Sequence, residues 1–183
     1  MTAPTPQVYN CSPPETLVTT TFTARMLSVQ SEGIPAEIKT YRAWVLWKRA
    51  RAGDKWTKHL YDVRTGRRAS STDSRTWGSF EEVLECYEAG NYDGIGFVFS
   101  TGDPYCGVDL DDAVEPETGE VAVWAQQVIE GLDGYTELSP SGTGIHIIVR
   151  GELPAGGNRK GPLEMYDKKR FFTVTGHVLG GPS

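Results

Sequence analysis

Apolar and polar positions change period several times along this chain, and each change marks an element. YRAWVLWKRA, from Tyr41, is aromatic and β-branched and predicts a first strand. GDKWTKHLYD follows as its hairpin partner, with Gly53-Asp54 near the turn. Ser79 with Glu82 three residues later is a capping box, so a helix is expected from there to about Ala89, ended by Gly90. GIGFVFS and YCGVDLDD predict two strands joined by TGDP. After the acidic loop EPETGE the period returns to helical over VAVWAQQVIEGL, with Val121, Trp124, Val128 and Leu132 on one face. YTELS and GIHIIVRG are strands separated by the turn SPSGTG, and LEMYD and RFFTVTGHV are strands around Lys168-Lys169. Mixed strands and helices with hairpins argue for an α+β sheet packed by helices.

The flanks read differently. Residues 1–40 are rich in Pro, Thr and Ser without a period, and we expect a loose arm with a short helix near Ala24 to Gln30. The expected domain covers 41–178, and 179–183 reads as a linker stub. No apolar run is long enough for a transmembrane helix, and the N-terminus lacks the basic start and apolar run of a signal peptide. Cys11, Cys86 and Cys106 are widely spaced, which argues against a zinc knuckle or disulfide framework and for a reducing cytoplasm.

Charge alters this picture. The net charge of −6 alone argues against a nucleic-acid partner. Its distribution does not. Arg42 to Arg68 holds nine Lys/Arg against two acids, Thr76 to Val149 holds fifteen acids and no Lys or Arg, and Arg150 to Arg170 holds six basic residues against three acids. Two basic segments flanking an acidic one can build a cationic rim around a metal site. Lys58, Arg64, Arg67 and Arg68 are the candidates for contacts to nucleic-acid phosphates.

The acidic centre is GVDLDDAV. On a strand Asp109 and Asp111 share one face, about 7 Å apart, while Val108 and Leu110 point into the core. Paired carboxylates suit a divalent cation with oxygen ligands, and two metals about 3.5–4 Å apart serve phosphate chemistry. Asp109, Asp111 and Glu120 also match three positions of a calcium loop, but Val114 stands where that loop needs Gly. In SPSGTGIHI, Gly142 and Gly144 let backbone approach a ligand, Ser141 offers a hydroxyl, and His146 can donate to a phosphate oxygen. In LEMYDKKR, Glu164 and Tyr166 share a face, and Lys168, Lys169 and Arg170 follow with charge suited to a polyphosphate. Trp44, Trp47, Trp56, Trp77 and Trp124 read as core and strand-pair packing rather than as platforms for bases.

In order along the chain, WKRARAGDKWTK, STDSRTW, DGIGFVF, GVDLDD, YTELSPSGTGIHI and LEMYDKKRFFTVTG resemble the bifunctional primase-polymerase N-terminal domains of phages and plasmids, in the archaeo-eukaryotic primase superfamily. The likeness runs from about Tyr41 to Val178. It implies an α+β core whose RRM-like sheet carries all three motifs. It implies a nucleotidyl transferase using two Mg²⁺ or Mn²⁺ ions to make DNA or primers from dNTPs or NTPs on single-stranded DNA. Asp109, Asp111 and Glu164 would hold the metals. His146 would contact the nucleotide's phosphates, with Ser141, Gly142, Gly144, Tyr166 and Arg170 around it. Where Ser often stands two residues before the His, this chain has Gly144. No GxxxxGK[ST] stretch occurs, so helicase action would belong to a separate or fused partner. A nucleic-acid-binding replication module and a two-metal nuclease are the alternative readings.

Overall fold

The computed structural model describes residues 26–154 and 158–180. The aromatic segment forms β1 (Trp44–Ala52) and pairs antiparallel with β2 (Lys55–Tyr61), with Arg51 opposite Trp56 and Gly53 at φ 62° in the turn. Helix α1 (Ala36–Lys39) precedes them, and α2 (Phe80–Glu88) follows. Both halves of the capping box form at Ser79 and Glu82, and α2 buries Phe80, Val83 and Cys86. The remaining elements are β3 (Gly94–Phe99), β4 (Tyr105–Leu110), α3 (Val123–Gly131), β5 (Tyr135–Leu138), β6 (Ile145–Arg150), β7 (Arg159–Lys160), β8 (Leu163–Tyr166) and β9 (Arg170–Val174).

These strands make two antiparallel sheets rather than the single sheet expected. One has the order β2-β1-β3-β9, the other β5-β6-β4-β8-β7. The class is α+β. Two short links move the chain between sheets. At the β3–β4 turn, the Asp103 carboxylate accepts from the Ser100 and Tyr105 amides at 2.8 and 3.0 Å. At the β8–β9 turn, Lys169 takes φ 58° and its amide donates to the Phe99 carbonyl at 3.0 Å. Both look like hairpin turns in sequence, yet neither joins paired strands.

Two buried clusters form, the first of which also takes in Tyr105 of β4 and Ile148 of β6. Trp44, Leu46, Trp47, Ile95, Phe97 and Phe99 are buried in the first cluster, which lies against both sheets. Val108, Leu110, Ile145 and Ile147 are buried in the second, where Ala125 of α3 joins them and Trp124, Val128 and Leu132 pack alongside. Strand alternation then leaves Asp109 and His146 on the opposite face of β4 and β6.

The flanks depart from expectation. Residues 26–30 are not helical, because the Leu27 and Gln30 amides donate instead to the carbonyls of Pro140 and Thr175 at 2.9 and 2.7 Å. Ala24 and Arg25 lie outside the described residues. The described part of the expected arm is packed, with Ile34 and Ile38 buried in the first core. Leu179, expected in a linker, packs on the second core, and its amide donates to the Thr136 carbonyl at 2.9 Å. Cys106 is a free, buried thiol as expected, whereas Cys86 is disulfide-bonded; Cys11 lies outside the described residues. Among the described residues no helix is long and apolar enough to cross a membrane.

Candidate active site

Cross-strand register places five polar residues in one row across the second sheet. Glu137 on β5 stands opposite His146 on β6, His146 opposite Asp109 on β4, Asp109 opposite Glu164 on β8, and Glu164 opposite Arg159 on β7. Partners directly opposite share a sheet face, so motifs about 55 residues apart in sequence meet here. Asp109 lies within β4, a strand, which excludes the calcium-loop reading.

His146, second in the row, is buried. Its Nε2 lies 3.7 Å from Asp109 Oδ1 and its Nδ1 lies 3.6 Å from Glu137 Oε1. Nδ1 has no hydrogen-bond partner among the described residues. The imidazole stacks on Phe172 of β9, with centroids 4.9 Å apart and planes at 30°. Glu137 is fully buried. Its carboxylate accepts from the Thr175 amide at 3.0 Å, the Gly176 amide at 2.7 Å and the Tyr135 hydroxyl at 2.5 Å. Those donors satisfy the hydrogen-bonding capacity of a buried acid. The sequence reading missed Glu137. The available signal was a carboxylate in the middle of a short strand otherwise patterned for the interior.

The acids of the row differ in how they are matched. Glu164 is paired with Arg159 at 2.8 Å, accepts from the Tyr166 hydroxyl, and lies 4.0 Å from Arg170. Arg170 also covers the Tyr166 ring at 4.6 Å. Among the described residues Asp111 forms no such ion pair. Burial raises its carboxyl above the usual range, the charges of Asp109, Glu164 and Asp112 raise it further, and Arg159 only partly opposes them. Among the described residues, no group of three or more His, Cys, Asp or Glu is arranged to hold a metal ion. The Asp109–Asp111 pair nevertheless fits a divalent cation chemically, since it offers hard oxygens under mutual repulsion. Glu164 would have to exchange Arg159 and Tyr166 to join them.

Asp109 and His146 open on a cleft of about 410 Å³, also lined by Arg49, Trp56, Lys58 and Arg170. Lys58, read from sequence as a candidate for a template phosphate, lines this cleft. Its ammonium donates to Thr173 Oγ1 at 3.4 Å and sits over Trp47. The surrounding protein lowers its proton affinity, and the charges of Asp109 and Asp111 pull it back up. Trp56 departs from its packing assignment too: Trp44 and Trp47 are buried, but Trp56 is 55% exposed.

The other candidates lie apart from this cleft. Arg64 is committed to Asp62 at 3.3 Å and to the Arg75 carbonyl, while Arg67 and Arg68 are exposed. Ser141 shares a hydroxyl chain with Ser139 and Thr143 at 3.0 and 2.9 Å. Gly142 takes φ 77°, and a Cβ at Gly144 would lie 3.0 Å from Ser139 Oγ. This turn abuts the end of β4 at the Leu110 carbonyl and does not line the cleft.

No protein-family model matches the chain. Over 156 residues it is 36% identical to the DNA primase-polymerase of Nitratiruptor phage NrS-1, an alignment covering 81% of this chain and 21% of that protein. The chain thus spans about a fifth of the relative's length.

Proposed function

We propose that this chain, a phage-type primase-polymerase domain, is a divalent-metal-dependent nucleotidyl transferase that makes DNA or primers on single-stranded DNA during phage, prophage or plasmid replication. One observation carries the reading: Asp109 and His146 share a cleft with the cations Lys58 and Arg170, while the like charges around Asp111 are only partly offset. A nucleoside triphosphate bound to a divalent cation complements that distribution. Its phosphates match the cationic donors, and its cation matches the carboxylates.

In this reading the hydroxyl of a primer end, or of an initiating nucleotide, attacks the α-phosphorus and pyrophosphate leaves. Lys58, His146 and Arg170 donate to phosphate oxygens and hold the triphosphate in line for attack. His146 can do so from a fixed orientation, because Phe172 stacks on its ring and Glu137 borders its inner nitrogen. Asp109 and Asp111, with Glu164 if it releases Arg159, would hold Mg²⁺ or Mn²⁺. The bound metal would neutralise phosphate charge and lower the pKa of the attacking hydroxyl. A separate or fused helicase would supply single-stranded template.

The test is incubation of labelled primer-template and of unprimed single strands with Mg²⁺ or Mn²⁺ and dNTPs or NTPs. Extension or new primers support the reading. Metal-dependent shortening of the strand would indicate a nuclease, and a mobility shift without synthesis would indicate a binding module.

A further inference from the structure

Trp56 is the exposed member of an otherwise packed set. Trp44, Trp47 and Trp77 are buried, Trp124 lies against the second core, and Trp56 keeps more than half its surface open. Its position is specific. It lines the cleft that holds Asp109, His146, Lys58 and Arg170. Arg51 stands opposite it on β1, and Arg49 lies two residues along on the same face. The two guanidinium centres are 5.9 and 5.4 Å from the indole centroid, within cation–π range. The ring is therefore flanked by two cations and still largely free.

A ligand matching this arrangement has a flat π-face at one end and phosphates at the other. The cleft volume of about 410 Å³ falls within the range of small-molecule sites. We propose that Trp56 is the platform on which a nucleobase stacks when phosphates occupy the Lys58–His146–Arg170 part of the cleft, with Arg49 and Arg51 bracing the indole. This rests on the cleft being a nucleotide site. The base belongs either to the incoming nucleotide or to the single strand, and the experiment below separates these sources.

The probes are a labelled dNTP, labelled oligo-dT, and inorganic tripolyphosphate, which carries the charge without a base. Binding is measured for the wild type, Trp56→Ala and Trp56→Phe, with Tm as the control for folding. Stacking on an aromatic ring is worth about 1–3 kcal/mol per base, so Trp56→Ala should weaken base-bearing ligands by roughly 5- to 150-fold. Trp56→Phe should retain most of the affinity, and tripolyphosphate should compete equally against all three proteins. A loss confined to the dNTP assigns the platform to the incoming nucleotide, and a loss confined to oligo-dT assigns it to the strand. If the wild type binds both ligands and Trp56→Ala changes neither, the inference fails while the nucleotide site stands. An equal loss of tripolyphosphate also overturns it, because Trp56 would then act by shaping the cleft. A wild type that binds no base-bearing ligand removes the nucleotide site itself.

Discussion

Glu137 Oε1 and His146 Nδ1 face each other at 3.6 Å across β5 and β6, and the carboxylate of this pair is wholly shielded from solvent. With Asp109 3.7 Å from the other ring nitrogen, the imidazole lies between two acids. The ring's orientation is held by its stacking on Phe172.

Glu137→Gln keeps the shape but turns an amide group toward the donors that serve the carboxylate. Stability should fall by about 1–3 kcal/mol in denaturant melts. The apparent KM for nucleotide should rise at least fivefold, about 1 kcal/mol of binding, with template affinity little changed. Unchanged nucleotide kinetics at reduced stability would make Glu137 a purely structural acid.

Asp109→Asn and Asp111→Asn should each abolish nucleotide incorporation. Without divalent cations both variants should melt at or above the wild-type temperature, since each removes a repelling charge. Each kcal/mol gained would appear as about 2–4 °C for a domain this size. Adding Mg²⁺ or Mn²⁺ should raise the wild-type Tm and leave the variants unmoved. A variant that keeps the full metal-induced shift would place the cation elsewhere.

The three arginines after β2 should separate by role. Arg64→Ala should lower Tm, because Arg64 holds Asp62 and the Arg75 carbonyl. Arg67→Ala with Arg68→Ala should leave Tm alone. If both touch template phosphates, the pair should flatten the log K against log salt slope by about 1.4, at roughly 0.7 per phosphate on a single strand. Lys58→Ala should weaken nucleotide more than template. Equal losses would bring the template into the cleft.

Gly107 tests how the two sheets fit together. A Cβ there would lie 2.5 Å from Phe99 Cζ and 2.6 Å from Phe172 Cε2. Gly107→Ala must therefore displace rings that meet edge to face 5.0 Å apart, one of which stacks on His146. Overpacking of this kind costs about 1–3 kcal/mol. We expect that loss in thermal melts, together with weaker nucleotide binding.

Asp103 gives a pH signature away from the cleft. Burial raises its carboxyl, the nearby Asp167 adds to this, and bonds from Ser100 and Tyr105 oppose it. The folded chain thus binds this proton more readily than the unfolded chain. That contribution is present below the raised value and is lost as pH rises through it. Asp103→Asn removes the dependence, so wild-type stability relative to the variant should decline with rising pH just above the ordinary carboxylate range. A constant difference would rule out the raised carboxyl.

Local signals carried the sequence reading well. The Gly53 turn, the Ser79–Glu82 capping box and the alternation of Val108, Asp109 and Leu110 each specify an element within a few residues. The division into two sheets was not legible, because pairings such as β1 with β3 and β3 with β9 are non-local. TGDP and DKK look the same whether their strands pair or part. That Asp109, His146 and Glu164 come together was legible from spacing and likeness. Glu137 was not, since its importance comes from burial. Trp56 was misjudged because composition cannot tell an edge-strand indole from a core one.

The five-residue row makes the site all-or-none. Side chains on a strand alternate between faces, so slipping any one strand by a single residue sends its member to the opposite side. A misregistered sheet would lose a whole functional group rather than degrade it slightly. A ligand that engages the completed row binds only correctly paired chains and so stabilises them by mass action. Any ligand that bound across the row would thereby favour the correctly registered sheet.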